Sequence, residues 1–265
     1  MSPSYPLDRI SPTRRPDKSV AGYQRWRSLL FMHWPAPIDV MRKLVPDELE
    51  LDLWQGTMWV GVVPFLMEGV RPWWCPQSLA FAFPETNVRT YVVHKGRPGV
   101  YFLSLEATSW LAVRAARIGW SLPYFHANIS VEGLGDDGGK TAADERPIVR
   151  YETRRRGAGT RHFVRYRVGR ELGACEPGTL EHFLLERYLL FVQRRGQILC
   201  GQVYHTPYPA REAEVLEVED QLVAAAGLPP VAGLPTVAHF SPGVDVEIFP
   251  LRADGQAKRV VRAGT

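Results

Sequence analysis

A chain of 265 residues with 45% hydrophobic content, 11% aromatics and eight tryptophans can bury a substantial core, which excludes a mainly disordered polymer. Its 32 basic and 28 acidic side chains leave a net charge of +4, too small an excess to mark a nucleic-acid binder by itself. Cys75, Cys175 and Cys200 are odd in number and far apart, so reduced thiols are expected rather than a disulfide framework.

Residues 1–22 carry Pro3, Pro6, Pro12 and Pro16 without periodicity and are expected to form a poorly ordered leader. Residues 23–255 are expected to be one domain and 256–265 a tail. The start lacks the basic, apolar, small-residue order of a signal peptide, and no apolar run reaches membrane-spanning length. A soluble cytoplasmic protein is therefore expected. Trp26 to Trp34 is apolar and aromatic, and residues 39–44 suit a short helix stopped before Pro46. Residues 49–53 and 57–67 read as strands around Gln55-Gly56, followed at 69–76 by a loop rich in tryptophan and proline.

Asn87-Val-Arg-Thr-Tyr-Val-Val-His94 and Gly99-Val-Tyr-Phe-Leu-Ser-Leu-Glu-Ala107 both alternate, and the segment between them has turn chemistry, so they predict a β-hairpin. Pairing Val93 with Val100 places Asn87, Arg89, Tyr91, Ser104 and Glu106 on one face, with Tyr101, Leu103, Leu105 and Ala107 behind it. Ser109 then suits the cap of a short helix over 110–118, which carries Arg114 and Arg117. Residues 124–132 alternate as a strand, 133–144 form a polar turn, and 148–155 with 163–168 form a second hairpin. The longest helix is expected over 179–193, capped by Thr179 and closed by Arg194-Arg-Gly196. Strands follow at 198–205, 211–218 and 245–251, with a short helix at 220–226. The sum is a mainly β (α+β) chain whose many short strands favour an antiparallel barrel, since closure removes exposed edges.

Phe83-Pro-Glu-Thr-Asn-Val-Arg-Thr-Tyr-Val92 and the second segment of the hairpin resemble the DUF2071 (YqjF-like) family of bacterial proteins. His33-Trp-Pro, Val63-Pro-Phe65, Leu122-Pro-Tyr124 and Leu180-Glu-His-Phe-Leu-Leu-Glu-Arg-Tyr188 extend the likeness over roughly residues 25–250. The resemblance implies an acetoacetate-decarboxylase-like β-barrel with a central cavity and two or three flanking helices. The decarboxylases use a lysine as Schiff-base nucleophile. Here Arg117 and Pro123 match the lysine-bearing segment, but Tyr124 and Phe125 stand where the lysines would be, so decarboxylase activity is not expected.

The polar hairpin face is the leading site candidate. Arg89 can bind a carboxylate or enolate oxygen by two hydrogen bonds. Glu106 can act as general base or orient Arg89, and the resemblance places Tyr124, His126 and Arg117 near the same cavity, where Tyr124 and His126 would complete a catalytic group. Asn87, Tyr91, Ser104 and Arg117 are the expected ligand-binding residues. The bland reading is an Arg89–Glu106 cross-strand ion pair that only fixes register. His182 and Glu186 lie one helical turn apart, which suits a salt-bridged face better than a metal site. Arg154, Arg155, Arg156, Arg161, Arg165, Arg167 and Arg170 form the densest basic stretch and define a remote nucleic-acid alternative.

The expectation is thus a small-molecule-binding barrel performing lysine-independent acid–base chemistry on a carbonyl or carboxylate compound. A non-catalytic ligand-binding or sensory protein is the alternative. The expected partner is a small anionic or carbonyl-containing compound rather than a membrane or nucleic acid. A homo-oligomer is allowed, and no cofactor or metal is expected.

Overall fold

The computed structural model describes residues 5–109, 122–134 and 146–253. The expected helix at 110–118, with Arg117, lies outside them, as do the expected tail and most of the turn at 133–144. Among the described residues thirteen strands form one sheet. They are β1 (Gly22–Ala36), β2 (Glu50–Leu51), β3 (Met58–Pro72), β4 (Phe81–His94), β5 (Arg97–Ala107), β6 (Tyr124–Glu132) and β7 (Val149–Arg155), followed by β8 (Arg161–Gly173), β9 (Leu189–Arg194), β10 (Gln197–Tyr204), β11 (Ala210–Asp220), β12 (Val237–Ile248) and β13 (Arg252–Ala253). Among the described residues three short α-helices, α1 (Ile38–Leu44), α2 (Leu180–Leu185) and α3 (Leu222–Ala225), accompany them.

The sheet closes on itself. The ladder β4–β5–β9–β10–β12–β1–β3 returns to β4, and β6, β7, β8 and β11 form a second path from β5 to β12. Most pairs are antiparallel, as the hairpin pattern predicts. The contacts of β5 with β6 and with β9 are parallel, which gives a mixed sheet. The shared wall is apolar on both faces. From β1, Leu29 and Phe31 enter one core, whereas Leu30, Met32 and Trp34 enter the other. Alternation along a strand sends successive side chains to opposite faces, so one wall serves two cores.

The hairpin β4–β5 forms, but in a different register. Lys95 and Gly96 make a two-residue turn with φ of 51° and 71°, a left-handed pair that matches the twist of a hairpin. Val93 therefore pairs with Pro98, not Val100. Farther along, Arg89 pairs with Phe102 but Val88 pairs with Ser104, so Leu103 is an extra, bulged residue. A one-residue slip exchanges faces. Glu85, Asn87, Arg89 and Tyr91 consequently lie opposite Ala107, Leu105, Phe102 and Val100, while Ser104 and Glu106 turn to the other face.

The long helix over 179–193 is also corrected. Thr179 does cap α2, accepting from the His182 N–H at 3.2 Å, but the helix ends at Leu185. Residues 189–194 instead pair with β10 through an Arg195-Gly196 turn whose φ values are 51° and 74°. Ladder hydrogen bonds and this left-handed turn override the helical spacing. The leader, for its part, holds specific contacts: Asp8 N–H donates to Gly96 O at 2.8 Å, and Arg9 forks onto Asp52 at 2.8 and 2.7 Å.

Candidate functional site

A partly open cavity of about 170 Å³ lies within the ring. An apolar cavity of roughly that size admits benzene, so there is room for a ligand of roughly six or seven non-hydrogen atoms. Its apolar walls include Trp26, Val63, Phe65, Phe102 and Leu105. Its polar lining is short: Gln24, Glu85, Asn87, Arg89, Tyr124, Arg187, Tyr188 and Tyr208.

Arg89 is 7% exposed and its Nη2 donates to Leu184 O at 3.0 Å. Its guanidinium stands 5.3 Å from the Phe31 ring centroid, and its Nε has no hydrogen-bond partner among the described residues. Four residues earlier on β4 and on the same face, Glu85 is almost wholly buried and accepts from the Tyr124 hydroxyl at 2.8 Å. Burial pushes the Glu85 carboxyl up to about 8, against the opposing bonds from Tyr124 and Asn87. Burial next to Glu85 likewise holds the Tyr124 phenol well above its ordinary value, so it stays protonated and donating. The Asn87 Oδ1 is unpartnered among the described residues.

Across from this wall, Arg187 follows the end of α2. Its Nε donates to Phe183 O and its Nη1 to Asp52 Oδ2, both at 2.7 Å. Burial draws the guanidinium below its ordinary value, with Asp52 opposing the shift. Tyr91 packs in the same core as the cavity walls. Its hydroxyl donates to Leu184 O at 2.9 Å, which leaves His33 Nε2 at 2.7 Å to donate to the phenol oxygen. Burial, with Arg89 nearby, holds His33 neutral, well below the usual histidine range.

The structure thus unites Asn87, Arg89 and Tyr124 at the cavity, with Tyr91 packed alongside. Ser104 and Glu106 do not join them. Glu106 faces the second core, where it forms an ion pair with Arg155 and accepts from Ser104 at 3.4 Å, so it neither orients Arg89 nor reaches the cavity. The expected Arg89–Glu106 pair is absent because the Leu103 bulge puts the two on opposite faces. His126 is half-buried with Nε2 at 3.2 Å from Thr108 O, and it does not line the cavity. Glu85 and Arg187 are polar cavity-lining residues that the sequence reading passed over. Glu85 lies two before Asn87 in the same alternation, which could have revealed it. Arg187 was hidden by the helix drawn through it.

The arginine stretch is answered across strands. Arg161, Arg165, Arg167 and Arg170 on β8 meet Glu219, Glu217, Glu214 and Glu212 on β11 at 2.6, 2.9, 3.5 and 2.6 Å. No helix of the described residues is long and apolar enough to cross a membrane.

The ring of strands with its internal cavity is an acetoacetate-decarboxylase-like fold. Over 96% of its length the chain superimposes on 98% of the enduracididine biosynthesis enzyme MppR complexed with pyruvate, with a TM-score of 0.61 at 12% identity. An acetoacetate decarboxylase-like enzyme from Sphingomonas wittichii RW1 gives 0.58 at 15% identity over 94% of this chain and 99% of that one. The acetoacetate decarboxylase of Legionella pneumophila gives 0.56 at 12%, with 92% of each chain covered. Likeness at such identity defines the fold and leaves the chemistry to the site. Residues 23–245 match the model of DUF2071, an uncharacterized conserved protein, and the chain belongs to that family. It is 34% identical over 231 residues to the uncharacterized protein YqjF of Bacillus subtilis (strain 168), covering 86% of this chain and 90% of YqjF.

Proposed function

We propose that the protein binds a small organic acid in the ring cavity and moves a proton on it through Glu85. The observation that carries this reading is one cavity lined both by Arg89, a buried guanidinium bonded among the described residues to a carbonyl rather than a carboxylate, and by a carboxyl that burial pushes up to about 8. A buried cation without a counter-ion is costly, and a ligand carboxylate would give Arg89 a charge-assisted, two-point bond. A carboxyl poised near the working pH suits general acid–base catalysis. No lysine lines the cavity among the described residues, so the reading needs no Schiff base.

The chemistry is enolisation. Ionised Glu85 takes a proton from the carbon beside a ligand carbonyl. The C–H electron pair becomes the new C=C bond, and the carbonyl π pair moves to oxygen, where an arginine stabilises the charge. Return of the proton from Glu85 reverses the step. Tyr124 and Asn87 hold the carboxyl in place.

Pyruvate, the compound in the MppR complex, has the right size and charge to serve as probe. Incubated with the protein in D2O, its methyl protons should exchange faster than in buffer, as read by proton NMR. Glu85→Gln should keep binding and slow the exchange by roughly a hundredfold, and Arg89→Met should lose both. Binding without any exchange would instead identify a non-catalytic, sensory protein. Undiminished exchange in Glu85→Gln would remove Glu85 from the role.

A further inference from the structure

Asp52 is 4% exposed and stands between two guanidinium ions. Arg9 engages both of its oxygens, Nη1 to Oδ2 at 2.8 Å and Nη2 to Oδ1 at 2.7 Å. Arg187 reaches only Oδ2, through Nη1 at 2.7 Å. One carboxylate cannot neutralise two guanidinium charges, and an arginine facing a free carboxylate prefers a two-point fork. Arg9 occupies the position that a second Arg187 bond would take. The Arg187 Nη2 is buried without a hydrogen-bond partner among the described residues, and Arg187 lines the cavity.

The leader segment is built to hold Arg9 there. Its guanidinium stands 5.1 Å from the Phe183 ring, against which Arg187 also packs at 4.3 Å. Asp8 N–H donates to Gly96 O, and a Cβ at position 96 would collide with the Pro6 carbonyl. Gln202 Nε2 donates to Pro12 O at 3.3 Å, and Arg15 Nε pairs with Glu247 at 2.6 Å. Residues 6–15 are therefore strapped across the β4–β5 turn, β10 and β12, with Arg9 reaching in from the strap. Asp52 is fixed from its own side by its N–H bond to Tyr91 O at 3.0 Å.

We propose that Arg9 is a positioning residue of the cavity: by forking onto Asp52 it leaves one Nη of Arg187 and one uncompensated positive charge available to an anionic ligand. The inference rests on the reading of the cavity as a carboxylate site, and its first test needs no ligand.

The 265-residue chain is compared with Arg9→Gln and Arg9→Lys, following the Arg187 side-chain NH resonances by 15N NMR and pyruvate affinity by calorimetry. In Arg9→Gln both Asp52 oxygens turn to Arg187, so the Arg187 resonances shift and pyruvate affinity falls by roughly tenfold. Arg9→Lys keeps the charge and restores most of the affinity, which a merely structural role for the strap would not produce. Unchanged Arg187 resonances in Arg9→Gln overturn the proposal whatever the protein binds. Shifted resonances with unchanged pyruvate affinity overturn it as well. Shifted resonances in a protein whose wild type binds no pyruvate would leave the Arg9–Asp52–Arg187 linkage standing and sink the carboxylate reading instead.

Discussion

Glu85 is the residue on which pH should act. Its folded value of about 8 lies above the 4.5 of an ordinary glutamate, so between those values the folded chain holds a proton that the unfolded chain has released. The contribution of Glu85 to stability is full below about pH 4.5, declines as pH rises, and is flat above about 8, with a slope of at most about 1.4 kcal/mol per pH unit. Glu85→Gln should remove that slope. Urea unfolding at several pH values should show the variant gaining on wild type from pH 5 to pH 8. A constant difference across that window would mean that Glu85 ionises normally. Arg89 was legible as a candidate because a charge stands out in an alternating apolar strand, whereas Tyr124 was legible only through the family resemblance. Glu106 looked equivalent to Arg89, and only the bulge at Leu103 separates it, since no residue type announces a bulge.

At the level of elements, turn chemistry decides more than periodicity. Lys95-Gly96 and Arg195-Gly196 each supply two left-handed residues, and each closes a hairpin at once. Recognising the second would have replaced the long helix with a helix and a strand, and would have brought Arg187 to the cavity. The strand so formed, β9, makes the seam with β5 through a single pair, Val100 with Leu190. Gly99 lies beside that pair, where a Cβ would meet Leu189 O at 2.6 Å and a Phe191 ring carbon at 2.7 Å. The obstacle is backbone, so the seam must open to admit a methyl group. Gly99→Ala should cost about 1–3 kcal/mol, seen as a lower urea midpoint. A midpoint equal to wild type would show that the seam yields freely.

For the whole molecule, closure is what creates the site. Arg89 comes from β4, Tyr124 from β6 and Arg187 from the segment between α2 and β9, and the ring brings all three to one cavity. The strands and their antiparallel tendency could be read locally. The parallel contacts of β5, and the row of glutamates on β11 that answers the arginines of β8, could not, because both depend on residues distant in sequence. That row turns the most basic stretch of the chain into an ion-pair ladder. Calorimetric titration of pyruvate into wild type and Arg89→Met tests this account most directly. The account predicts saturable one-site binding to the wild type, weakened at least about fiftyfold in Arg89→Met, in keeping with the loss of a buried charge-assisted pair. Equal affinity in the two proteins would contradict it.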